Sequence, residues 1–367
     1  MNPVTAAMIG VGAISGIYLK NIFTRFPEIR LKGVCDLIPE RAQKAKEAYP
    51  SLTVYKTMED AFRDPEVELI LNLTRPYQHF DVSMGALKAG KHVYSEKPLG
   101  ASFAEGQALA REAEARGLYL GGAPDTFLGA GIQTCRAAID AGEIGDVIGA
   151  SAHMIGHGPE SWHPDPEFFY QYGGGPMMDM GPYYITALIN LMGRVKETVS
   201  FSRASFPVRV ATCKEHMGEE IPVNVPTYVD GLLRFESGAI GRMFATFDVY
   251  YPHAAGLEIY GSRGTLFVPD PNTFAGPVTL TDEKNETREL SVDFGFCDNS
   301  RALGLWDMCA SIRGGVKRPR AGYMQTLHVL EVLTSLAEGS GRTVEMTTPF
   351  ERQAPMSRDA EKNGRIL

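Results

Sequence analysis

The sequence has few cysteines, and they are not arranged as metal ligands or as a disulfide framework. Their number is odd and no two of them form a C-x-x-C pair; the five are Cys35, Cys135, Cys213, Cys297 and Cys309. This set excludes a zinc knuckle and a small disulfide-bonded scaffold as the basis of the fold. We therefore expect a protein of a reducing compartment, the cytoplasm.

Positive charge is also in short supply. The 367 residues include 36 Lys and Arg against 44 Asp and Glu, which gives a formal net charge of −8 with histidine neutral. Nucleic acids and anionic membrane surfaces both attract proteins through concentrated positive charge. The composition thus predicts neither nucleic acid nor a membrane as a partner.

The chain does not start with an uninterrupted apolar segment. Its first 19 residues carry no charged side chain, but Gly10, Gly12 and Gly16 interrupt them and no basic residue begins the stretch. A signal peptide has a basic start and a continuous apolar core, and a membrane span needs about 20 consecutive apolar residues. We interpret the stretch as the first strand and helix of a folded domain.

Short apolar runs alternate with helical periodicity up to about residue 122. The predicted strands are residues 4–9, 31–35, 67–73 and 92–95. Strands that alternate with helices form a parallel sheet covered on both faces. Residues 1–122 are therefore predicted to form a first α/β domain.

From about residue 123 the pattern changes. Strands with hairpin signals follow one another between Glu197 and Val292, for example on either side of Ser237-Gly238. Helices are predicted at 128–140, 182–192, 302–312 and 324–337. We expect a second α/β domain over residues 123–367, with a large and mainly antiparallel sheet.

A glycine-rich turn stands where the first strand passes into the first helix. Gly10 allows a tight turn, and Gly12 lets the backbone approach a pyrophosphate, whose charge the helix N-terminus favours. The turn continues through Ala13 and Ile14, and Ser15 takes the place of the third glycine in the usual dinucleotide fingerprint. A turn of this kind can also do no more than connect a strand to a helix.

Asp36 strengthens the prediction of a bound dinucleotide. It ends the second strand, 20 residues beyond Gly16, where a carboxylate can accept hydrogen bonds from an adenosine ribose. Its negative charge repels a 2′-phosphate, and Leu37 supplies no cation, so we predict NAD rather than NADP. Arg41 is the alternative, because it is near enough in sequence to bind a phosphate, although we interpret it as a solvated helix residue.

Five motifs together give the sequence a specific resemblance. They are Gly10-x-Gly12, Asp36, Asn72-Leu73-Thr74-Arg75-Pro76-Tyr77-Gln78-His79, Gly90-Lys91-His92-Val93-Tyr94-Ser95-Glu96-Lys97-Pro98 and Gly173-Gly174-Gly175-Pro176-Met177-Met178-Asp179-Met180-Gly181-Pro182-Tyr183. In this order they resemble the Gfo/Idh/MocA oxidoreductase family, which includes glucose-fructose oxidoreductase and inositol dehydrogenases. The resemblance covers nearly the whole chain. It implies an N-terminal Rossmann dinucleotide-binding domain and a C-terminal α/β domain whose open sheet mediates assembly into a homodimer or homotetramer.

The resemblance gives Lys97 the central chemical role. Lys97 follows the carboxyl end of a predicted parallel strand, where ligands of open α/β sheets bind. Such a lysine is placed on the substrate hydroxyl beside the nicotinamide, where an ammonium stabilises a developing alkoxide. Glu96 is expected to orient Lys97 or to contact the cofactor. The same motifs put three more residues at the cofactor, with helix capping as the alternative for the last of them: Thr74, Pro76 and His79.

Asp179 and Tyr183 are four residues apart at the predicted start of a helix, a spacing that can put both side chains on one face. The resemblance implies that both contact substrate and that Tyr183 shares the hydroxyl proton with Lys97. The structural alternatives are a helix cap for Asp179 and a core aromatic for Tyr183. Many members of the family have His where Tyr183 stands, so the sequence departs from its relatives at the proton-transfer group.

The loop before the triple glycine is rich in Pro, His and aromatic residues. Trp162, His163 and Asp165 combine an aromatic face with hydrogen-bonding groups, which suits a sugar ring; packing within the loop is an equal alternative. His153, His157 and His163 are spaced along a strand and an irregular loop, and no carboxylate completes a ligand set. We therefore predict no metal site.

These residues together predict a cytoplasmic NAD-dependent dehydrogenase that acts on a sugar, polyol or glycoside hydroxyl. Lys97 and Tyr183 handle the hydroxyl proton, and Asp179 holds the small-molecule carbohydrate. One alternative is a glycosidase-like enzyme in which tightly bound NAD oxidises the sugar transiently to permit elimination. The other is an NAD-binding regulator without catalytic activity.

Overall fold

The computed structural model of the protein describes residues 2–250, 256–315 and 318–364. The chain divides into two compact units. The first unit combines the chain up to Asp125 with Asn299–Leu327 and the segment that starts at Asp359, and the second comprises Thr126–Asp298 and His328–Arg358. The predicted second domain of residues 123–367 differs from this division, in which two of its segments group with the first unit.

Hydrogen bonds explain why the chain returns to the first unit. The carboxylate of Asp125 accepts hydrogen bonds from the backbone amides of Ala302 (3.0 Å) and Gly304 (3.1 Å). The amide of Gly122 donates to the carbonyl oxygen of Ala321 at 3.0 Å. Asp125 is 1% exposed, and burial raises its pKa to about 6 because the two amides replace only part of its hydration.

Strands alternate with helices up to Gly122, and in the described residues between Val195 and Glu289 strands follow one another without an intervening α-helix. The strands are Val4–Ile9 (β1), Ile29–Cys35 (β2), Thr53–Val54 (β3), Leu69–Asn72 (β4), His92–Ser95 (β5), Leu120–Gly122 (β6), Val147–Ile155 (β7), Val195–Arg203 (β8), Val208–Val210 (β9), Glu220–Pro222 (β10), Tyr228–Phe235 (β11), Ile240–Thr246 (β12), Gly256–Gly261 (β13), Gly264–Val268 (β14), Thr279–Asp282 (β15), Thr287–Glu289 (β16) and Val344–Glu345 (β17). The α-helices are Ser15–Thr24 (α1), Pro39–Ala48 (α2), Met58–Arg63 (α3), His79–Lys88 (α4), Phe103–Arg116 (α5), Ala130–Asp140 (α6), Pro176–Asp179 (α7), Gly181–Met192 (α8), Leu303–Ile312 (α9), Tyr323–Glu338 (α10) and Ala360–Asn363 (α11). Within the described ranges, no helix has the length and apolar character that crossing a bilayer requires.

The sheet of the first unit is parallel and has the strand order β3-β2-β1-β4-β5-β6. Every residue of β1 and β4 is buried, as expected of central strands covered on both faces. The strand order reverses between β1 and β4, and ligands of open α/β sheets bind outside the carboxyl ends of the strands at such a point. The predicted parallel α/β domain is confirmed.

The second unit contains a nine-stranded sheet of order β16-β15-β14-β13-β7-β12-β11-β8-β17. Only β7 and β12 pair in parallel, and the other neighbours are antiparallel. β11 shows the alternation of a sheet with one covered face: Val229, Gly231, Leu233 and Phe235 are buried, whereas the residues between them are partly or fully exposed. The predicted mainly antiparallel sheet is confirmed.

A separate two-stranded antiparallel sheet joins β9 to β10. This β9–β10 hairpin lies between β8 and β11 in the sequence and adds no strand to the nine-stranded sheet. It belongs to the second unit.

Candidate active site

The turn after β1 contains Gly10 and Gly12, and a side chain would have a different effect at each position. Gly10 has φ +93°, and a Cβ there would lie 2.6 Å from the carbonyl oxygen of Leu73, so the fold itself requires glycine. A Cβ at Gly12 would meet nothing within 4 Å. Gly12 thus leaves open space beside the N-terminus of α1, where backbone amides favour an anionic group.

The turn leads directly into α1. The amide and hydroxyl of Ser15 donate to the carbonyl oxygen of Gly12 at 3.1 and 2.7 Å. Ala13 is exposed and Ile14 is partly exposed just before the helix begins. The strand, turn and helix that the fingerprint predicts are therefore present in the predicted order.

Asp36 meets the glycine turn from the end of β2. One carboxylate oxygen accepts the backbone amide of Val11 at 2.6 Å, and the other accepts that of Ile38 at 2.8 Å. Leu37 is 86% exposed and Arg41, on α2, is also exposed. The turn and the carboxylate, 25 residues apart in the chain, thus form one edge whose adjoining side chains face water.

The loop after β4 is fixed by a buried asparagine. The side-chain amide nitrogen of Asn72 donates to the backbone carbonyl oxygen of His79 (3.1 Å) and to the Ser83 hydroxyl (3.0 Å). The side-chain oxygen of Asn72 accepts hydrogen bonds from the backbone amide (3.2 Å) and the hydroxyl (2.7 Å) of Thr74. Asn72 opens one of the motifs shared with the family, but the motif alone did not indicate that it braces this loop. Pro76 follows in a single 3₁₀ turn, Pro76–Gln78.

His79 joins the loop after β4 to the loop after β5. Its ring nitrogens face the carbonyl oxygens of Pro98 (2.7 Å) and Thr74 (3.0 Å). The side chain is 1% exposed, and burial lowers its pKa. Because the ring lies between a carbonyl group of each loop and its single N–H can donate to one of them, His79 positions the two loops, and it caps no helix with its side chain.

Glu96 holds the backbone of Lys97. One carboxylate oxygen accepts the Lys97 amide at 3.1 Å, and the other accepts the Tyr18 hydroxyl at 2.8 Å. Glu96 is 8% exposed and Lys97 is partly exposed. Burial and the negative charge of Glu96 raise the pKa of Tyr18, which therefore stays a neutral donor. Tyr18 was missed in the sequence, where it appears only as an apolar residue of α1.

Asp179 and Tyr183 lie on two successive helices rather than on one. Asp179 is the last residue of α7 and is partly exposed, whereas Tyr183 belongs to α8 and is 7% exposed. Met180 stands between them as the N-cap of α8, which has no side-chain cap. Asp179 is therefore not the N-cap residue of either helix. The structure begins α8 at Gly181, next to the predicted helix start at residue 182, so Asp179 lies before this helix.

The glycines before α7 serve close backbone packing. A Cβ at Gly174 would lie 2.6 Å from the carbonyl oxygen of Phe168, and one at Gly175 would lie 2.8 Å from that of Pro226. Gly175 also has φ +86°, a conformation that disfavours other residues. Gly174 and Gly175 thus let the backbone just before α7, the helix that ends at Asp179, pack closely against neighbouring segments.

Residues 157–172, which we call the aromatic loop, cluster their aromatic side chains. The His163 ring lies edge-on to Trp162 (5.5 Å between centroids) and to Phe169 (5.0 Å). Its Nδ1 accepts the Asp165 amide at 3.0 Å, so the neutral ring carries its proton on Nε2. Trp162 is 67% exposed. His163 and Asp165 therefore take part in packing of the loop, while much of the Trp162 indole faces water.

No group of three or more His, Cys, Asp or Glu residues in the described ranges could hold a metal ion. His153 instead lies 3.0 Å from the Ser151 hydroxyl through its Nε2. Two features of the first unit do fit a dinucleotide. They are the open space beside Gly12 and the carboxylate of Asp36. They give this edge of the sheet the form of a dinucleotide site in a Rossmann domain.

Two family models match the chain. The model described as an oxidoreductase family with an NAD-binding Rossmann fold matches residues 4–121. The model described as a GFO/IDH/MocA C-terminal domain matches residues 132–267. The chain belongs to the Gfo/Idh/MocA family of oxidoreductases, and its first unit contains the family's NAD-binding Rossmann domain. The predicted family and enzyme class are confirmed.

Relatives with curated names cover most of the chain. Myo-inositol 2-dehydrogenase of Thermotoga maritima is 25% identical over 279 residues, which are 76% of this chain and 78% of that protein. The NAD(+)-dependent scyllo-inositol 2-dehydrogenase of Bacillus subtilis is 25% identical over 268 residues, 72% of this chain and 73% of that protein. Levoglucosan dehydrogenase in complex with NADH superposes with a TM-score of 0.80 at 16% identity, covering 95% of this chain and 100% of that one. The last comparison establishes a shared fold.

Proposed function

We propose that this protein oxidises a hydroxyl group of a sugar, polyol or glycoside with NAD. The observation that carries the proposal is the edge of the parallel sheet, where the glycine turn follows β1 and Glu96 and Lys97 follow β5. The inositol dehydrogenases among the relatives support a substrate with ring hydroxyl groups. The nicotinamide, when bound, supplies the hydride acceptor.

Asp36 is the proposed determinant of NAD over NADP. Its carboxylate is fixed by the amides of Val11 and Ile38, and further lone pairs remain for ribose hydroxyl groups. A 2′-phosphate at this position would meet the same negative charge. Arg41, exposed on α2, is the residue that would have to offset it.

Lys97 and Tyr183 are the proposed catalytic residues. The Lys97 ammonium stabilises negative charge on the substrate oxygen as the carbinol carbon loses hydride, and Tyr183, acting as a phenolate, accepts the hydroxyl proton and becomes a phenol. Asp179, Trp162 and His163 are proposed to hold the substrate. Glu96 keeps the Lys97 backbone in place through the amide that it accepts.

The protein is further proposed to form a homodimer or homotetramer through the uncovered face of the nine-stranded sheet. This face carries exposed apolar side chains on β8, β11, β12 and β14: Phe201 (72% exposed), Leu232 (47%), Ile240 (53%) and Phe267 (39%). A second copy of the chain that packs on this face would cover these side chains. Light scattering at micromolar concentration tests the proposal, and a monomer would contradict it.

The cytoplasm is the proposed location. No disulfide joins the five cysteines, all of which lie in the described residues. A reducing compartment suits such a protein. Fractionation of the native cells with an antibody would test this placement, and recovery in an oxidising compartment would contradict it.

The activity is tested by incubating the purified protein with NAD and a panel of sugars, inositols and glycosides. Net accumulation of NADH with at least one compound is the expected result. Cleavage of a glycoside without accumulated NADH would instead identify the glycosidase-like cycle, which returns its hydride. NAD binding without any conversion across the panel would favour a regulator.

A further inference from the structure

The β9–β10 hairpin packs on the aromatic loop and forms a small core with it. The buried residues of this core come from the loop, from the hairpin region and from the end of β12: Phe169, Tyr170, Ala211, Cys213, Ile221 and Phe247. Neither strand of the hairpin pairs with the nine-stranded sheet. The hairpin therefore has the aromatic loop as a principal packing partner.

Arg209, on β9, connects this hairpin to two other segments. Its Nε donates to the Glu160 carboxylate and one Nη donates to the carbonyl oxygen of His157, both in the aromatic loop. The other Nη donates to the Asp248 carboxylate, just after β12, at 3.2 Å. The side chains of Arg209, Glu160 and Asp248 are 5%, 8% and 4% exposed. The guanidinium is thus a buried junction of the second unit.

Further hydrogen bonds extend the junction. The second carboxylate oxygen of Asp248 accepts the Thr227 hydroxyl at 2.8 Å. The backbone carbonyl of Glu160 accepts the amides of Thr212 (3.0 Å) and Cys213 (2.7 Å) in the hairpin. Glu160 is therefore fixed by both its side chain and its backbone.

The fixed part of the loop leads directly to Trp162, which is 67% exposed. The amides of Trp162 and His163 both donate to the carbonyl oxygen of Pro159, at 3.2 and 3.0 Å. At the other end of the loop, the amide of Gly175 donates to the carbonyl oxygen of Phe169 at 2.6 Å. Backbone hydrogen bonds thus fix the aromatic loop both near the Arg209 junction and near the start of α7.

We infer that Arg209 is a positioning residue for substrate binding, because it holds the aromatic loop in the conformation that presents Trp162. This inference rests on the proposed function, in which Trp162 and His163 contact the carbohydrate. Three acceptors, two in the aromatic loop and one just after β12, match the planar, forked guanidinium. A lysine ammonium keeps the charge but is a compact group without that fork, so it would leave part of the junction unsatisfied.

The test compares Arg209→Lys with Arg288→Lys. The control makes the same chemical change at an exposed arginine of the same unit, which pairs with Glu143 at 2.5 Å and is 56% exposed. With a substrate from the panel, Arg209→Lys should raise the KM for the carbohydrate roughly 10-fold or more, because misplaced binding groups lose much of their effect. The Kd for NAD should stay within about twofold of wild type, since the binding residues of the first unit are untouched.

A second readout follows the loop itself without any substrate. The chain has two tryptophans, and Trp306 is 5% exposed in the first unit. In a Trp306→Phe background, fluorescence therefore reports Trp162 alone. Arg209→Lys should change the quenching of Trp162 by acrylamide at least about twofold, an effect expected if the loop loses its fixed conformation, whereas Arg288→Lys should leave it unchanged.

Unchanged quenching of Trp162 together with an unchanged KM would overturn the inference. A fall in kcat and thermal stability without a rise in KM would also overturn it, because that pattern belongs to a purely structural role. If Arg209→Lys does not fold, Asp248→Asn removes one charge and keeps the Glu160 pair, and the same two results decide. Failure of the proposed function would appear separately, as a wild-type protein that produces no NADH. Acrylamide quenching of Trp162 would in that case still show whether Arg209 fixes the conformation of the aromatic loop.

Discussion

The dinucleotide edge of the first unit and the aromatic loop of the second unit are held in place by different means. At the edge, Gly10, Asp36 and Glu96 each follow a parallel strand, and most of their hydrogen-bond partners are backbone groups near other strand ends. The aromatic loop follows β7 but contains only a short 3₁₀ turn, and a buried arginine 52 residues from His157 in the chain fixes it. The first arrangement depends on strand ends and the second on long-range side-chain contacts. Substitutions at the edge should therefore affect the cofactor or the chemistry, and substitutions around the loop should affect the carbohydrate.

The largest effect is expected for Lys97→Met. The change removes the ammonium proposed to stabilise the developing alkoxide. Methionine is, like lysine, an unbranched side chain, but it is apolar and carries no charge. Turnover should fall about 1,000-fold, the scale for loss of a stabilising group at a developing oxyanion. Steady-state NADH production measures the loss, and calorimetry with NAD serves as the control for cofactor binding.

Lys97→Met would contradict this division between edge and loop if it changed only the KM for the carbohydrate. That outcome would assign Lys97 to substrate binding alone. A variant that no longer binds NAD would likewise contradict the assignment to the chemical step.

Tyr183→Phe should have the next largest effect, because it removes only the phenolic oxygen, which is proposed to accept the substrate proton in its phenolate form. A loss of roughly 100-fold in turnover is the usual scale for a general base. Tyr184→Phe is a matched control on the same helix. An undiminished rate of hydride transfer in a single turnover would show that Tyr183 is a core aromatic, and Asp179 or His163 would become the next candidates for the base.

The two glycines of the turn offer a direct test of the edge. Gly12→Ala adds a methyl group where nothing lies within 4 Å, so thermal stability should hold while the Kd for NAD rises about 10-fold through obstruction of the backbone approach to the pyrophosphate. Gly10→Ala should instead lower the Tm, because φ is +93° and the methyl group meets the backbone of Leu73. Thermal unfolding and calorimetry separate the two effects. An unchanged Kd in Gly12→Ala would contradict the proposed pyrophosphate position.

The smallest effect is expected for Asp36→Asn. The amide keeps one oxygen that can accept the Val11 amide, and it removes the charge that opposes a 2′-phosphate. The preference for NAD over NADP should fall by roughly 10-fold while NAD binding weakens only a few-fold, since about 1.4 kcal/mol is a tenfold change in affinity. Tighter binding of NADP than NAD by the wild-type protein would contradict the cofactor assignment and favour Arg41 as a phosphate ligand.

The sequence predicted best the features that depend on a single residue type at a fixed place in the chain, such as a glycine or an aspartate directly after a strand. Gly10 follows the apolar strand β1, and Asp36 follows β2, so the strand ends alone indicated that the turn and the carboxylate share an edge of the sheet. The spacing of Asp179 and Tyr183 did not indicate that Asp179 ends the separate helix α7, because a helix of four residues leaves little periodicity in the sequence.

Long-range contacts account for the other differences. The return of residues 299–327 to the first unit depends on hydrogen bonds from Ala302 and Gly304 to Asp125, 177 and 179 residues apart in the chain. Arg209 and Glu160 are also distant in sequence and read as ordinary charged residues. Burial, which decides whether such a pair is a junction or a surface contact, is a property of the folded chain.

The proposed function requires that this protein moves hydride from a carbohydrate carbinol carbon to NAD. A panel substrate deuterated at its carbinol carbons, with mass spectrometry of the nicotinamide nucleotide after a single turnover, follows that hydride itself. We expect reduced nucleotide that carries one deuterium, and about 1,000-fold slower transfer in Lys97→Met. Reduced nucleotide without deuterium, or no reduced nucleotide with any compound of the panel, would contradict the proposed function.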